Sequence, residues 1–130
     1  MSARHAKTLA EMDATQEAVV LSKATARAAD KLGLTNAALA TMLGLSEASV
    51  SRLKRGTFIL PPDSKAFELA QLFVRLFRGL YAITGGDEES LRSWLRGQNL
   101  ALRGRPIDLI QTIPGLTGAV AYVDARRARL

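Results

Sequence analysis

The chain has no cysteine in 130 residues, which excludes disulfides, thiol nucleophiles and thiolate zinc sites. Its one histidine, His5, has no ligand partner at a workable spacing, so no metal site is expected. Aromatic residues are only 5% of the chain, and strand-forming residues never run in alternation. With alanine, leucine and arginine abundant, this predicts an all-α fold. No glycine-rich phosphate loop, nucleophile elbow or paired acids occur, so neither enzymatic activity nor a cofactor is expected.

Long apolar runs are missing too. The opening MSARHAKTLAEMD has no apolar core of the kind a secretory signal needs. The most apolar stretch, AFELAQLFVRLFRGLYAI, is interrupted by Glu68, Arg75 and Arg78, which argues against a membrane span. A cytoplasmic protein with no membrane partner is the expectation.

What is present begins with charge. The net charge is +6, and it is spread evenly. Residues 1–60 hold eight lysines and arginines against five acids, and residues 61–130 hold ten against seven. An anionic partner is therefore expected of the whole chain and not of one tail. The length suits one domain or two small helical lobes.

Capping residues divide the sequence into helices. Asp13 and Gln16 have capping-box spacing and predict a helix running to Lys31 and stopping at Gly33, with residues 1–13 frayed. Thr35 caps a short helix, NAALATML, that ends at Gly44. Ser46 caps the next, about 47–55, with Glu47 at its positive end, Lys54 and Arg55 at its negative end, and Gly56 as its stop. TFILPPDS marks a boundary between a lobe of residues 14–60 and one of residues 64–130. In the second lobe Ser64 or Asp63 caps a long helix to Gly85-Gly86. Asp87, Glu88 and Glu89 open a helix that Gly97 closes. Pro106 opens PIDLIQT, and a last helix begins near Pro114.

The two short helices share a fixed internal pattern. Leu39, Leu43, Leu45, Val50 and Leu53 face a core, Ala40 is small where the helices cross, and Gly44 allows the turn. That is the packing requirement of a helix-turn-helix. The same residues also fit a solvated αα-hairpin, but the spacing favours DNA. Outward positions are Glu47, Ala48, Ser49, Ser51, Arg52, Lys54 and Arg55, short near the helix start and basic near its end. Arg52 is long enough to read a guanine edge. Thr35, Asn36 and Ser49 offer phosphate hydrogen bonds, Lys54 and Arg55 add charge, and the capping Ser46 is counted among the DNA-binding positions.

The long helix has an apolar excess. Phe67, Leu69, Leu72, Phe73, Leu76, Phe77, Leu80, Tyr81 and Ile83 leave little of its circumference polar, so it must be covered on more than one side. Packing of both lobes onto it is one expectation. A homodimer using Leu69, Phe73, Leu76, Phe77 and Leu80 is the other, and it would suit a palindromic operator.

LTNAALATMLGLSEASVSRLKRG resembles the Xre-type helix-turn-helix regulators, with Asn36 or Ala37 where a glutamine is usual. The later sequence is similar to the C-terminal toxin-binding domain of the Xre/MbcA/ParS antitoxins. It shares Trp94-Leu95, Asn99 with Leu102, Gly104-Arg105-Pro106 and Asp108-Leu109-Ile110, in that order. Together the resemblances cover about residues 20–130. They imply a type II antitoxin that represses its own operon and covers the active-site entrance of a RES-domain toxin, a class that degrades NAD. The toxin-facing residues implied are Trp94, Asn99, Arg105, Tyr122, Arg126, Arg127, Arg129 and Leu130. By spacing, Trp94 is also a core anchor beside Leu91 and Leu95, Arg105 can pair with Asp108, and the last arginines suit a helix C-terminus. A free-standing dimeric helix-turn-helix transcriptional regulator is the alternative.

Overall fold

A hydroxyl or carboxylate placed just before a helix satisfies amides that would otherwise lack partners, and the chain repeats this device at six helix starts. The computed structural model describes residues 8–129. Among these, the helices are α1 (Leu9–Leu32), α2 (Asn36–Leu43), α3 (Glu47–Arg55), α4 (Lys65–Thr84), α5 (Glu88–Arg96), α6 (Pro106–Leu109) and α7 (Ile113–Ala128). Thr8, Thr35, Ser46, Ser64, Asp87 and Thr112 accept first-turn amides at six of these starts. Pro106 instead supplies the preset φ at the start of α6. Asp87 accepts both the amide and the hydroxyl of Ser90. These bonds, the hydroxyl's first, hold its carboxyl below the usual carboxylate range.

The beginning of α1 differs from the sequence expectation. The helix starts at Leu9, because Thr8 and Glu11 form the reciprocal capping box. Glu11 N donates to the Thr8 hydroxyl and Thr8 N donates to the Glu11 carboxylate, each at 3.1 Å. Asp13 and Gln16 have the same spacing but lie inside the helix, so residues 9–13 belong to α1 rather than to a segment before it. His5 lies outside the described residues.

α4 is the centre of the structure. It packs on α7 along much of its length, and on α1, α2 and α5. Phe73, Leu76 and Leu80 are fully buried, and a continuous apolar cluster runs from Ala28 in α1 to Val123 in α7. At the α4–α7 crossing, the Cβ of any larger residue at Gly79 would meet the Val123 side chain, so hydrogen at this position sets how closely the helices approach. Arg75 and Asp124 close the same interface at its edge with a 2.8 Å ion pair.

This arrangement corrects the dimer surface read from the sequence. Leu69, Phe73, Leu76 and Leu80 are buried in the chain's own core. They have no face left for a second copy. Phe77 is half-buried and meets the exposed Tyr81 ring at 5.9 Å between centroids. The apolar excess of α4 is therefore met largely by α1, α2, α5 and α7.

The proline-containing stretch is held to α1 rather than hanging free. Leu60 is fully buried. Its amide donates to the buried Ser22 hydroxyl at 2.9 Å, and that hydroxyl donates to Ala18 O at 2.6 Å. Ser22→Ala would leave the Leu60 amide buried without a partner. The expected loss is about 1–3 kcal/mol of folding stability, read as a lower urea midpoint at unchanged slope.

Candidate functional site

Helix α3 owes its position to α2. Ala40 is buried at the crossing, Gly44 turns the chain with φ 69°, and Val50 and Leu53 are buried beneath α3. With those residues turned inward, Glu47, Ala48, Arg52, Lys54 and Arg55 are exposed, and Ser49 and Ser51 are half-buried. The outward face is short at the amino end and basic at the carboxyl end, as a helix entering a major groove requires.

Local bonds hold this face in order. The Ser46 hydroxyl accepts from Ser49 N at 3.0 Å and donates to the Ser49 hydroxyl at 3.1 Å, which in turn accepts from Arg52 Nη2 at 3.3 Å. Arg52 thus lies along its own helix, on a weak exposed contact that a base edge can replace. Thr35 accepts from Ala38 N at 3.0 Å through a lone pair, which leaves its exposed hydroxyl proton open to an outside acceptor. Asn36 stands beside it, half-buried. Lys54 Nζ lies 3.5 Å from Leu34 O, while Arg55 is exposed at the end of α3.

The implied toxin-facing residues divide into several groups. Trp94 is half-buried and packs against the core beside the fully buried Leu91 and Leu95. Asn99 shapes a loop: its backbone pairs with Gly104 through bonds of 2.9 and 3.2 Å, and its Oδ1 accepts from Leu102 N at 3.0 Å. That closed loop lifts Leu100 into solvent, 89% exposed. Arg105 pairs with Asp108 at 3.0 Å, as spacing predicts.

On α7, the Arg126 guanidinium lies over the Tyr122 ring at 5.9 Å and donates to its hydroxyl at 3.3 Å. Helical spacing puts exposed Arg129 on the same face. Arg127 is on another flank, lining a groove between α1 and α4. The three terminal arginines are therefore not one patch. Leu130 lies outside the described residues.

Sequence reasoning missed two features. One is Leu100, whose exposure depends on a loop closure that only Asn99 hints at. The other is a pair of arginines one turn apart on α5. Arg92 donates to Lys31 O and Asp30 O, both at 3.1 Å, and Arg96 donates to Leu32 O at 3.2 Å and Gly33 O at 2.8 Å. Four consecutive carbonyls at the end of α1 are satisfied from sixty residues away in the chain, where cations also suit the helix dipole. Their i, i+4 spacing is visible in the sequence, but their partners are not.

Residues 11–75 match the family model of an antitoxin Xre-like helix-turn-helix domain, and residues 79–129 match that of an antitoxin Xre/MbcA/ParS C-terminal toxin-binding domain. The chain belongs to the Xre/MbcA/ParS antitoxin family. No curated protein matches it. As an antitoxin it combines a DNA-binding and a toxin-binding part, and the two matches meet within α4. Among the described residues no helix is long and apolar enough to cross a membrane, and no group of acidic residues or histidine is placed to hold a metal ion.

For the antitoxin's DNA face, Arg52→Ala is expected to relax preference at one operator position at a cost of roughly 1–3 kcal/mol. Arg55→Ala should weaken all sequences alike and lower the salt slope by about one unit per protomer contact. Footprinting with a salt titration separates the two, and equal losses on operator and random DNA would remove Arg52 from base readout. Replacing Arg92 and Arg96 together by alanine should speed amide exchange at Gly33 and Leu34, the residues where α1 ends.

Proposed function

We propose that this antitoxin neutralises a RES-domain toxin that degrades NAD, and that it represses its own operon as a homodimer. The observation that carries the reading is the joining of an exposed basic α3 face to a toxin-binding domain through a shared α4. Thr35, Asn36 and Ser49 hold the DNA backbone, Ser46 caps α3, Glu47, Ala48 and Ser51 belong to the surface that approaches the groove, Arg52 reads a base, and Lys54 and Arg55 supply charge. The RES assignment rests on the family resemblance. The cationic end of α7 supports it, because the diphosphate of NAD is an anion that guanidinium groups bind in bidentate fashion.

In this reading the toxin sits against Trp94, the Asn99–Gly104 loop with Leu100 at its tip, Arg105 and the Tyr122–Arg126 pair. Arg126 and Arg129 then obstruct the entrance through which substrate must pass. Leu116, Val120 and Val123, all buried, hold α7 while its exposed end does this work.

Co-expression with the neighbouring gene is the direct test. A second polypeptide should co-purify in fixed stoichiometry, and the toxin expressed alone should arrest growth with loss of cellular NAD. Arg126→Glu with Arg129→Glu changes only exposed side chains, so folding and operator binding should persist while growth arrest returns. Full neutralisation by that variant would move the block to residues 94–123. Absence of any co-purifying partner would favour the free-standing regulator.

A further inference from the structure

The first turns of α1 bury nothing. From Leu9 to Glu17 no side chain is buried, although this is about two and a half turns of helix. Leu9, Met12 and Val20 are 80%, 53% and 58% exposed and, with Gln16, recur at the spacing of one helix face. Short helices owe most of their stability to packing of an apolar face, so this stripe calls for a cover.

Beside it lies a groove of about 790 Å³ between α1 and α4. Val20, Leu21, Ala24, Phe67 and Val74 give it apolar walls. Its rims are opposite in charge, with Asp13 and Glu17 on the α1 side and Arg75, Arg78 and Arg127 on the other. Arg75 is engaged with Asp124, but among the described residues Asp13, Glu17, Arg78 and Arg127 form no ion pair.

We infer that this groove is where a second copy of the chain docks, each copy laying the Leu9–Val20 stripe of its α1 into the other's α1–α4 groove. The charge pattern selects this occupant. In a two-fold pairing whose axis runs along the groove, the two rims exchange sides, so the acidic rim of one copy faces the basic rim of the other and each contact is made twice. An unrelated partner would need matching charges of its own; a second copy already has them. The interface buries the apolar stripe without using Leu69, Phe73, Leu76 or Leu80 of α4 or the outward face of α3. The inference rests on the homodimer reading above and specifies its surface.

Sedimentation equilibrium of the full chain at micromolar concentration tests it, with circular dichroism to confirm folding. The wild-type protein should be a dimer. Met12→Glu with Val20→Glu, both at exposed positions, should remain helical and raise the dimer dissociation constant roughly 10–100-fold, since carboxylates would be placed in an apolar contact. Glu17→Arg alone should weaken the dimer, and adding Arg78→Glu in the same chain should restore it. A dimer indifferent to all these changes would overturn the proposed surface while leaving the homodimer reading intact. A monomeric wild-type protein would overturn both, and loss of toxin co-purification in the Met12→Glu, Val20→Glu variant would then assign the groove to the toxin.

Discussion

A helix apolar around most of its circumference must be covered from several directions at once, and in this antitoxin α4 imposes that requirement on everything else. Phe73, Leu76 and Leu80 are fully enclosed, which obliges α1, α2, α5 and α7 to close around the helix between them. The DNA-reading and toxin-holding parts consequently share one core. Each depends on side chains that the other contributes.

Polar contacts reinforce what burial begins. The Ser22 hydroxyl holds the Leu60 amide, so the segment between α3 and α4 is anchored although it contains two prolines. Arg92 and Arg96 close the end of α1 from within the toxin-binding half. Lys54, at the end of α3, lies near the very next carbonyl, Leu34 O. The turn that orients α2 is thus gripped from both functional halves of the chain.

Much of this was legible in the sequence because it is local. Caps at Thr35 and Ser46, the choice of Ser64 or Asp63 before α4, the acidic start of α5, the Gly44 turn, and the alternation of core and surface in α2 and α3 all follow from neighbours a few residues apart. The Arg105–Asp108 pair is legible for the same reason. The start of α1 was misjudged because Thr8–Glu11 and Asp13–Gln16 share one spacing, and spacing alone does not reveal which pair makes reciprocal bonds. The assignment of Leu69, Phe73, Leu76 and Leu80 to a dimer surface failed differently. An apolar helix shows that it needs cover, but not whether its own chain supplies it. Arg92, Arg96 and Leu100 stayed hidden because their surroundings are set by tertiary contacts, and Arg127 was separated from Arg126 and Arg129 only once the groove beside α1 was visible.

The sharing of α4 also bears on how such proteins can be recombined. TFILPPDS looks like a hinge at which one DNA-binding part could be exchanged for another, giving an antitoxin with a new operator and an old toxin. A chimera cut there would set a foreign α1 and α2 against an α4 surface they were never selected to fit, and would lose the Ser22 anchor and the four carbonyl bonds to α5 unless the donor carried equivalents. Under the proposed reading, in which exposed residues of α3 contact the operator, preference changes most readily one side chain at a time, while the two halves stay together as a single unit of descent.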